Sequence, residues 1–254
     1  MNFPSMGLHG RVALVTGSTK GIGYGLAHGM ARAGADIVIV SRNQQDCERV
    51  AEEIRATGRR AAGLAADVTE NEQVTCMVDL ALQEYGRIDI LVNNAGTAIT
   101  ARAEDITEVD FDHVTGVNLR AVFFVAQAVG KQMIRQGGGV IINVASILGL
   151  VGEKQVLPYC ASKGGVIQIT KALALEWAKY NIRVNALCPG YVLTPINEDE
   201  LKKDRIYKHI VNKIPMRRLG QIEDLVGAAV FMASDASRYM TGQSLVIDGG
   251  WTAQ

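Results

Sequence analysis

Two motifs in a fixed order constrain this chain more than any other feature. Thr16-Gly17-Ser18-Thr19-Lys20-Gly21-Ile22-Gly23 stands near the start, and Tyr159-Cys160-Ala161-Ser162-Lys163 lies about two thirds of the way along, with Ser146 thirteen positions before Tyr159. Either motif alone is a weak signal, and their weight comes from occurring together in this order. An apolar run, Val12 to Val15, delivers the chain to Gly17, and Ile22, Leu26 and Met30 mark a helix that starts near Gly21 or Ile22. Gly17 allows the tight turn, Gly21 lets backbone approach a phosphate, and Gly23 lets the helix press on the sheet. The helix N-terminus turns unpaired N–H groups and about half a positive charge toward a pyrophosphate. The candidate contacts from this turn are Gly17, Thr19, Lys20, Gly21, Ile22 and Gly23.

Short apolar runs alternate with longer helical patterns along the rest of the chain. Arg11–Val15, Asp36–Val40, Ala61–Ala65, Ile88–Val92, Val140–Val144, Arg183–Leu187 and Ser244–Ile247 are expected as strands. Most are near-continuously apolar rather than alternating, as when helices cover both faces of a parallel sheet. The expectation is a single-domain α/β doubly wound Rossmann fold over residues 1–254, with a seven-stranded parallel sheet flanked by helices. The rhythm breaks from Tyr191 to Arg218, where a charged stretch (Asn197 to Arg205) runs between Pro195 and Pro215. A long excursion after a strand's carboxyl end reads as a substrate lid, and a solvated surface helix is the alternative.

Composition narrows the partners. The 254 residues carry 26 basic and 26 acidic side chains, so no net field steers the chain toward nucleic acid or an anionic membrane, and a small molecule is the expected partner. Cys47, Cys76, Cys160 and Cys188 have neither CxxC spacing nor a dense framework, which suits free thiols in a reducing compartment and no metal. Residues 1–10 lack a signal-peptide pattern, and no apolar run reaches the roughly 18 residues that span a bilayer. The expected location is cytoplasmic.

Cofactor choice should be written at the end of the second strand. An acidic residue there would accept bonds from both ribose hydroxyls and repel a 2′-phosphate; the chain instead has Val40-Ser41-Arg42-Asn43, with Lys20 as a second cation. This pattern points to NADP(H). Asp67-Val68 ends the third strand and is placed to accept from the adenine amino group. Asn93-Asn94-Ala95-Gly96 ends the fourth, where side chains point into the ligand crevice and Gly96 leaves room for ribose. Asn93 has a second reading as a tie between adjacent strands.

Ser146 follows Val140 to Ala145 at the end of the fifth strand. Pro158 can open the next helix, which puts Tyr159 in its first turn and Lys163 one turn on, on the same face. A nearby ammonium and an oxidised nicotinamide both favour phenolate and lower a phenol pKa of about 10. Tyr159 then serves as acid and base while Ser146 positions and polarises a carbonyl. Asn118, in Val114-Thr115-Gly116-Val117-Asn118-Leu119, reads from its own surroundings as a capped helix kink, with a water-held proton relay as the alternative.

As a set these residues resemble the short-chain dehydrogenase/reductase family over nearly the whole chain: Thr16-Gly17 to Gly23, Asn93-Asn94-Ala95-Gly96, Asn118, Ser146, Tyr159 with Lys163, Asn185, Pro189-Gly190 and Thr194. The resemblance implies a catalytic tetrad of Asn118, Ser146, Tyr159 and Lys163, with Asn118 as relay. It also implies nicotinamide contacts from Pro189, Gly190, Val192 and Thr194, with Thr194 near the carboxamide or the diphosphate. A homotetramer is implied too, built from helix pairs and the C-terminal segment. The helix after Pro158 carries Ala161, Gly164, Gly165 and an apolar series, Val166, Ile169 and Leu173, on which a partner helix is expected. Within the family, Ile214 to Gly220 with Glu223-Asp224-Leu225, and Asp248 to Ala253, resemble gluconate 5-dehydrogenases and 3-oxoacyl-acyl-carrier-protein reductases, tails shared by many branches. The leading expectation is NADP(H)-dependent interconversion of a ketone and a secondary alcohol on a keto-sugar acid or polyol, with Arg102, Glu153 and Lys154 near the crevice. A 3-oxoacyl thioester reductase docking through Lys131, Arg135 and Lys179, and a non-catalytic NADP(H) sensor, are the alternatives.

Overall fold

The computed structural model describes residues 4–194, 198–201 and 203–254, so Met1 to Phe3 of the N-terminal stretch and residues 195–197 and 202 of the charged excursion lie outside the described residues. Seven parallel strands form one sheet in the order β3-β2-β1-β4-β5-β6-β7: β1 Val12–Thr16, β2 Asp36–Ser41, β3 Ala61–Ala65, β4 Ile90–Asn93, β5 Gly139–Val144, β6 Ile182–Pro189 and β7 Ser244–Ile247. The principal helices are α1 Gly21–Arg32, α2 Gln44–Arg55, α3 Asn71–Tyr85, α4 Glu108–Thr115, α5 Ala121–Gln136, α6 Leu157–Trp177, α7 Glu198–Leu201, α8 Asp204–Lys213 and α9 Glu223–Ala233. This is the single α/β doubly wound Rossmann architecture expected from the alternation.

The continuity of the apolar runs has a direct cause. Along β1, Ala13 and Val15 face a core built with α1, α2 and α9, while Val12 and Leu14 face a second core built with α3, α5 and α6. Neither face of a central strand meets water, so neither tolerates a polar side chain without a partner. The order reverses between β1 and β4, and the strand ends on either side of that point frame a crevice.

Strand boundaries shift from expectation where side chains displace the ladder. β4 starts at Ile90 rather than Ile88 because Gln136 brackets Ile88, accepting from its N–H at 3.4 Å and donating to its carbonyl at 2.8 Å. Asp89 accepts from Val12 N at 2.9 Å, next to Arg11, which falls outside β1. At the other ends β2 runs on to Ser41 and β6 to Pro189.

The α6 residues on which a partner helix is expected divide between two faces. Val166 and Leu173 are fully buried in the chain's own cores, and a Cβ on Gly165 would stand 2.6 Å from Leu119 Cδ1. Gly165, Val166 and Leu173 serve internal packing. What α6 shows to solvent is the expected Ala161 together with Gln168, Ala172 and Leu175, with Leu175 83% exposed.

Asn93, Asn143 and Thr170 thread a polar chain through the second core. Asn93 Nδ2 donates to Val122 O (3.2 Å) and Asn143 Oδ1 (3.0 Å), Asn143 Nδ2 donates to Thr170 Oγ1 (2.9 Å), and Thr170 Oγ1 donates to Val166 O (2.8 Å). This ties β4 and β5 to α5 and α6, and it gives Asn93 the strand-tying role rather than a place in the crevice. Asn143→Ala would strand buried amide and hydroxyl groups, so it should lower stability by about 1–3 kcal/mol, read as a lower urea midpoint with an unchanged slope.

Candidate active site

The glycine turn is held by its neighbours on every side. Gly17 and Gly21 have φ of +63° and +61°, which an L side chain resists. A Cβ on Gly23 would sit 2.3 Å from Asn94 Nδ2 and 2.5 Å from Gly17 O, so Gly23 is needed to close the turn on itself. The close approach of α1 to another element falls instead at Gly25 and Gly29, where a Cβ would meet Ile222 and Val226 at 2.0 and 2.3 Å. Ser18 Oγ donates to Val15 O (2.7 Å) and accepts from Val40 N (3.0 Å), fastening the turn to β2.

Asn94 departs from its expected orientation. Its Nδ2 donates to Thr16 O (2.9 Å) and Gly17 O (3.0 Å), while Thr16 Oγ1 accepts from the N–H groups of Asn94 and Ala95 (3.0 and 3.1 Å). The side chain braces the turn, and the backbone of Ala95 and Gly96 is left to line the crevice. No regular motif search flags this, because the two partners are carbonyls.

The far end of the crevice is cationic. Thr19 Oγ1 donates to Ser41 Oγ at 3.2 Å, and the exposed Lys20 and Arg42 flank this pair without an ion pair or hydrogen bond among the described residues. Two hydroxyls between two unpaired cations, at a strand end without a carboxylate, fit a ribose 2′-phosphate. Asp67 Oδ1 accepts from Thr69 N (2.9 Å) and Oγ1 (2.7 Å). Burial pushes its carboxyl up, but the Thr69 bonds and the charges of Arg42 and His113 outweigh this and leave it lowered. It stays an ionised acceptor beside the half-buried Val68. Thr194 reaches the opposite lip: a Cβ on Gly21 would stand 3.8 Å from Thr194 Cβ. Gly190 packs on Asp248, and Val192 bridges to Gly220.

Ser146, Tyr159 and Lys163 converge where β5 and α6 meet. Ser146 Oγ accepts from Leu148 N (3.1 Å), Lys163 Nζ donates to Val144 O (2.7 Å), and the ammonium lies 5.5 Å from the Tyr159 ring centroid. Asn118 sits in a π-helical turn, Gly116–Arg120, between α4 and α5. There its amide pairs with both backbone groups of Thr97, each at 2.8 Å, and donates to Ser162 Oγ at 3.2 Å. A Cβ on Gly96 would lie 3.3 Å from Asn118 Oδ1 and 3.8 Å from Lys163 Nζ, so the bare glycine opens a slot that both groups face. The π turn thus brings the Asn118 amide to this slot, since π turns place a side chain where a straight helix would not.

Burial reverses one expectation. Desolvation pushes the Tyr159 phenol up, and the Ser146 hydroxyl beside it only partly opposes this. Desolvation also pushes Lys163 down to about 8, with the Cys188 thiol acting weakly in the other sense. In the free chain Tyr159 is thus a protonated acid, suited to donating to a carbonyl oxygen; phenolate is favoured only when further positive charge enters the crevice.

Hydride exchange with a carbonyl requires a dinucleotide seat, a proton donor and a polarising hydroxyl in one cleft, and a sheet end that unites them defines a dinucleotide-dependent oxidoreductase. A family model described as Enoyl-(Acyl carrier protein) reductase matches residues 17–252. The chain is 45% identical over 249 residues, 97% of each protein, to 2-dehydro-3-deoxy-D-gluconate 5-dehydrogenase of Dickeya dadantii (strain 3937). It is 41% identical over 248 residues to D-threitol dehydrogenase of Mycolicibacterium smegmatis, covering 96% of this chain and 94% of that one. Among solved structures, a gluconate 5-dehydrogenase from Burkholderia cenocepacia J2315 in complex with NADP and tartrate has a TM-score of 0.96 at 40% identity, over 99% of both chains. The chain belongs to the short-chain dehydrogenase/reductase family.

A protonated Tyr159 beside a Lys163 that titrates near 8 has kinetic consequences. Tyr159→Phe should lower turnover by about 10²–10⁴-fold with NADPH binding nearly intact, whereas Lys163→Ala should impair both. kcat/KM for NADPH, which reports the free enzyme, should fall as pH rises through about 8, where Lys163 loses its proton. A pH-independent value up to pH 10 would contradict this assignment.

Proposed function

We propose that this chain is an NADP(H)-dependent oxidoreductase that interconverts a small polyhydroxylated ketone and its secondary alcohol. The observation that carries the reading is the grouping of Ser146, Tyr159 and Lys163 in one cleft with the Lys20–Ser41–Arg42 end that fits a 2′-phosphate. When bound, NADPH supplies the hydride. Ser146 then orients the carbonyl oxygen, Tyr159 donates its proton as negative charge develops there, and Lys163 with Asn118 returns a proton from solvent through the Gly96 slot. Pro189, Gly190 and Val192 line the nicotinamide end, and Thr194 the diphosphate.

The names of the relatives support sugar acids and polyols as the substrate class. The thioester alternative has less behind it: Lys131, Arg135 and Lys179 are exposed, but Lys179 Nζ lies 5.0 Å over the ring of its neighbour Tyr180. A non-catalytic sensor has no use for a desolvated lysine beside a phenol. We read the assembly as a homotetramer in a reducing, cytoplasmic setting. It would be covered at the exposed apolar side chains Val109, Phe111 and Leu175, and light scattering at micromolar concentration measures it directly.

We also assign residues 191–218 to a substrate lid. Leu201, Ile210, Ile214 and Leu219 form a small core of their own, packed by Tyr191, Leu193, Ile206, Val211 and Trp251, separate from the main cores. Leu201 and Ile206 thus brace the lid. A small separate cluster opens at less cost than the main core, so backbone amides here should exchange fast in the free enzyme and slow when NADPH and substrate bind. Protection already high and unaltered by ligands would make this a fixed element.

Cofactor choice is the most direct test. One charge-assisted phosphate contact is worth about 1.5–3 kcal/mol, or roughly tenfold or more in specificity constant. NADPH should outperform NADH by at least that ratio in a screen of keto-sugars, keto-acids and acetoacetyl thioesters, and Ser41→Asp with Arg42→Ala should reverse it. Equal constants for the two cofactors would sink the assignment.

A further inference from the structure

We propose that Glu153 and Tyr191 form a hydroxyl-reading edge of the substrate cleft, which selects an uncharged hydroxyl-bearing carbon next to the reacting carbonyl and rejects a carboxylate there. The inference rests on the reading of this chain as a reductase of polyhydroxylated ketones and specifies which part of such a ketone meets which side chain.

Both residues arrive from strand ends that carry the site. Glu153 follows Ser146 by seven positions on the segment leading to Tyr159, and Tyr191 comes two after Pro189, the last residue of β6. They meet across the cleft mouth, where Tyr191 OH donates to Glu153 Oε2 at 3.4 Å. The Tyr191 ring packs against Trp251, centroids 4.9 Å apart, so the pair links the loop after β5 to the small core of the lid. Burial, then Glu153, and after it Cys160 and Tyr159, all push the Tyr191 phenol up, which places it within electrostatic reach of Tyr159.

The loop that presents Glu153 is held in an unfavourable shape. Gln155 has φ of +65°, in the left-handed region, and its carbonyl accepts from Ala101 N at 2.9 Å, fastening the loop to the segment that follows β4. Local strain of this kind persists only where the surroundings enforce it, and it gathers at functional sites.

Glu153 is half-buried, and among the described residues it has no cationic partner. Among the described residues its other oxygen accepts only from Lys154 N, at 2.8 Å. A carboxylate offers about four lone-pair sites, so about two remain for donors from a ligand. Substrate hydroxyls supply such donors. A second carboxylate supplies none and would meet an uncompensated like charge in a partly desolvated cleft, which excludes it by repulsion. An alkyl ketone or acyl chain would leave the oxygens unpaired.

Initial rates with NADPH on three ketones sharing a four-carbon skeleton test this: erythrulose, with hydroxyls beside the carbonyl; butanone, with none; and 2-oxobutanoate, with a carboxylate. The wild-type enzyme should favour erythrulose over butanone by about tenfold or more in kcat/KM, with 2-oxobutanoate below both. Glu153→Gln should cut the erythrulose-to-butanone ratio about tenfold, mainly through KM, and Glu153→Asp should restore part of it; Tyr191→Phe should act in the same direction with smaller effect. Taking the ratio cancels losses in folded enzyme or cofactor binding. A ratio that Glu153→Gln leaves unchanged, or a wild-type preference for 2-oxobutanoate, overturns the inference while leaving the reductase reading intact. Failure of every ketone tried to elicit NADPH oxidation overturns both.

Discussion

The site depends on one buried ammonium. Lys163 is 4% exposed, has no carboxylate partner among the described residues, and donates a hydrogen bond to the carbonyl of Val144 at the end of β5. Taking a cation out of water with a single neutral acceptor is unfavourable, and the chain meets that cost partly by moving the titration down to about 8. The sign of its effect on stability follows. Between pH 8 and the ordinary lysine value of 10.5 the unfolded chain holds a proton that the folded chain lacks, so stability rises with pH across that window, and below it the full penalty is carried. A residue that weakens the fold at neutral pH, yet sits one turn from Tyr159, makes sense as the part of the site that stability was given up for.

That strain is affordable because the cofactor end is rigid. Thr16, Ser18 and Asn94 use side chains to satisfy backbone groups of β1, β2 and the segment after β4, so the glycine turn is shaped before any ligand arrives. Donors that are already aimed need no reordering on binding. The polar chain through Asn93, Asn143 and Thr170 does the same one layer deeper, holding α6 against β5 so that Ser146 and Tyr159 keep their spacing.

The architecture was legible because the sheet is parallel and buried on both faces, which leaves each strand as an apolar run between glycine-marked turns. β3 and β7 match expectation end to end, while β4 does not, since the Gln136 side chain, distant in sequence, replaces two of its ladder bonds. Periodicity shows that Val166 and Leu173 share a face of α6, but it cannot say whether that face meets a partner or the chain's own sheet; packing against β5 and β6 decided it. The convergence of Ser146, Tyr159 and Lys163 was readable from their spacing, as one helical turn and one strand end position them. Asn118 was not, because its role depends on a π turn that shifts its register and on Gly96, whose missing side chain opens the shared slot. The direction of the Tyr159 shift also escaped the sequence, since desolvation is set by everything packed around the phenol rather than by its neighbour four residues on.

Charge is distributed along the crevice with a purpose that net charge conceals. The 26 basic and 26 acidic residues cancel, yet among the described residues the crevice has Lys20 and Arg42 without ion pairs at one end, where Asp67 is a single opposing charge, and Glu153 without a cationic partner at the other. A dinucleotide phosphate lowered into this field is drawn to the first end and repelled from the second, so the long axis of the cofactor has one favoured direction before any close contact forms. The same polarity acts on the substrate with opposite consequence: an anionic group is driven away from Glu153, and the hydroxyl-bearing part of the molecule is left to face it. These charges thereby bias both reactants toward one orientation, the one that sets a reacting carbon near Tyr159, where proximity does the rest.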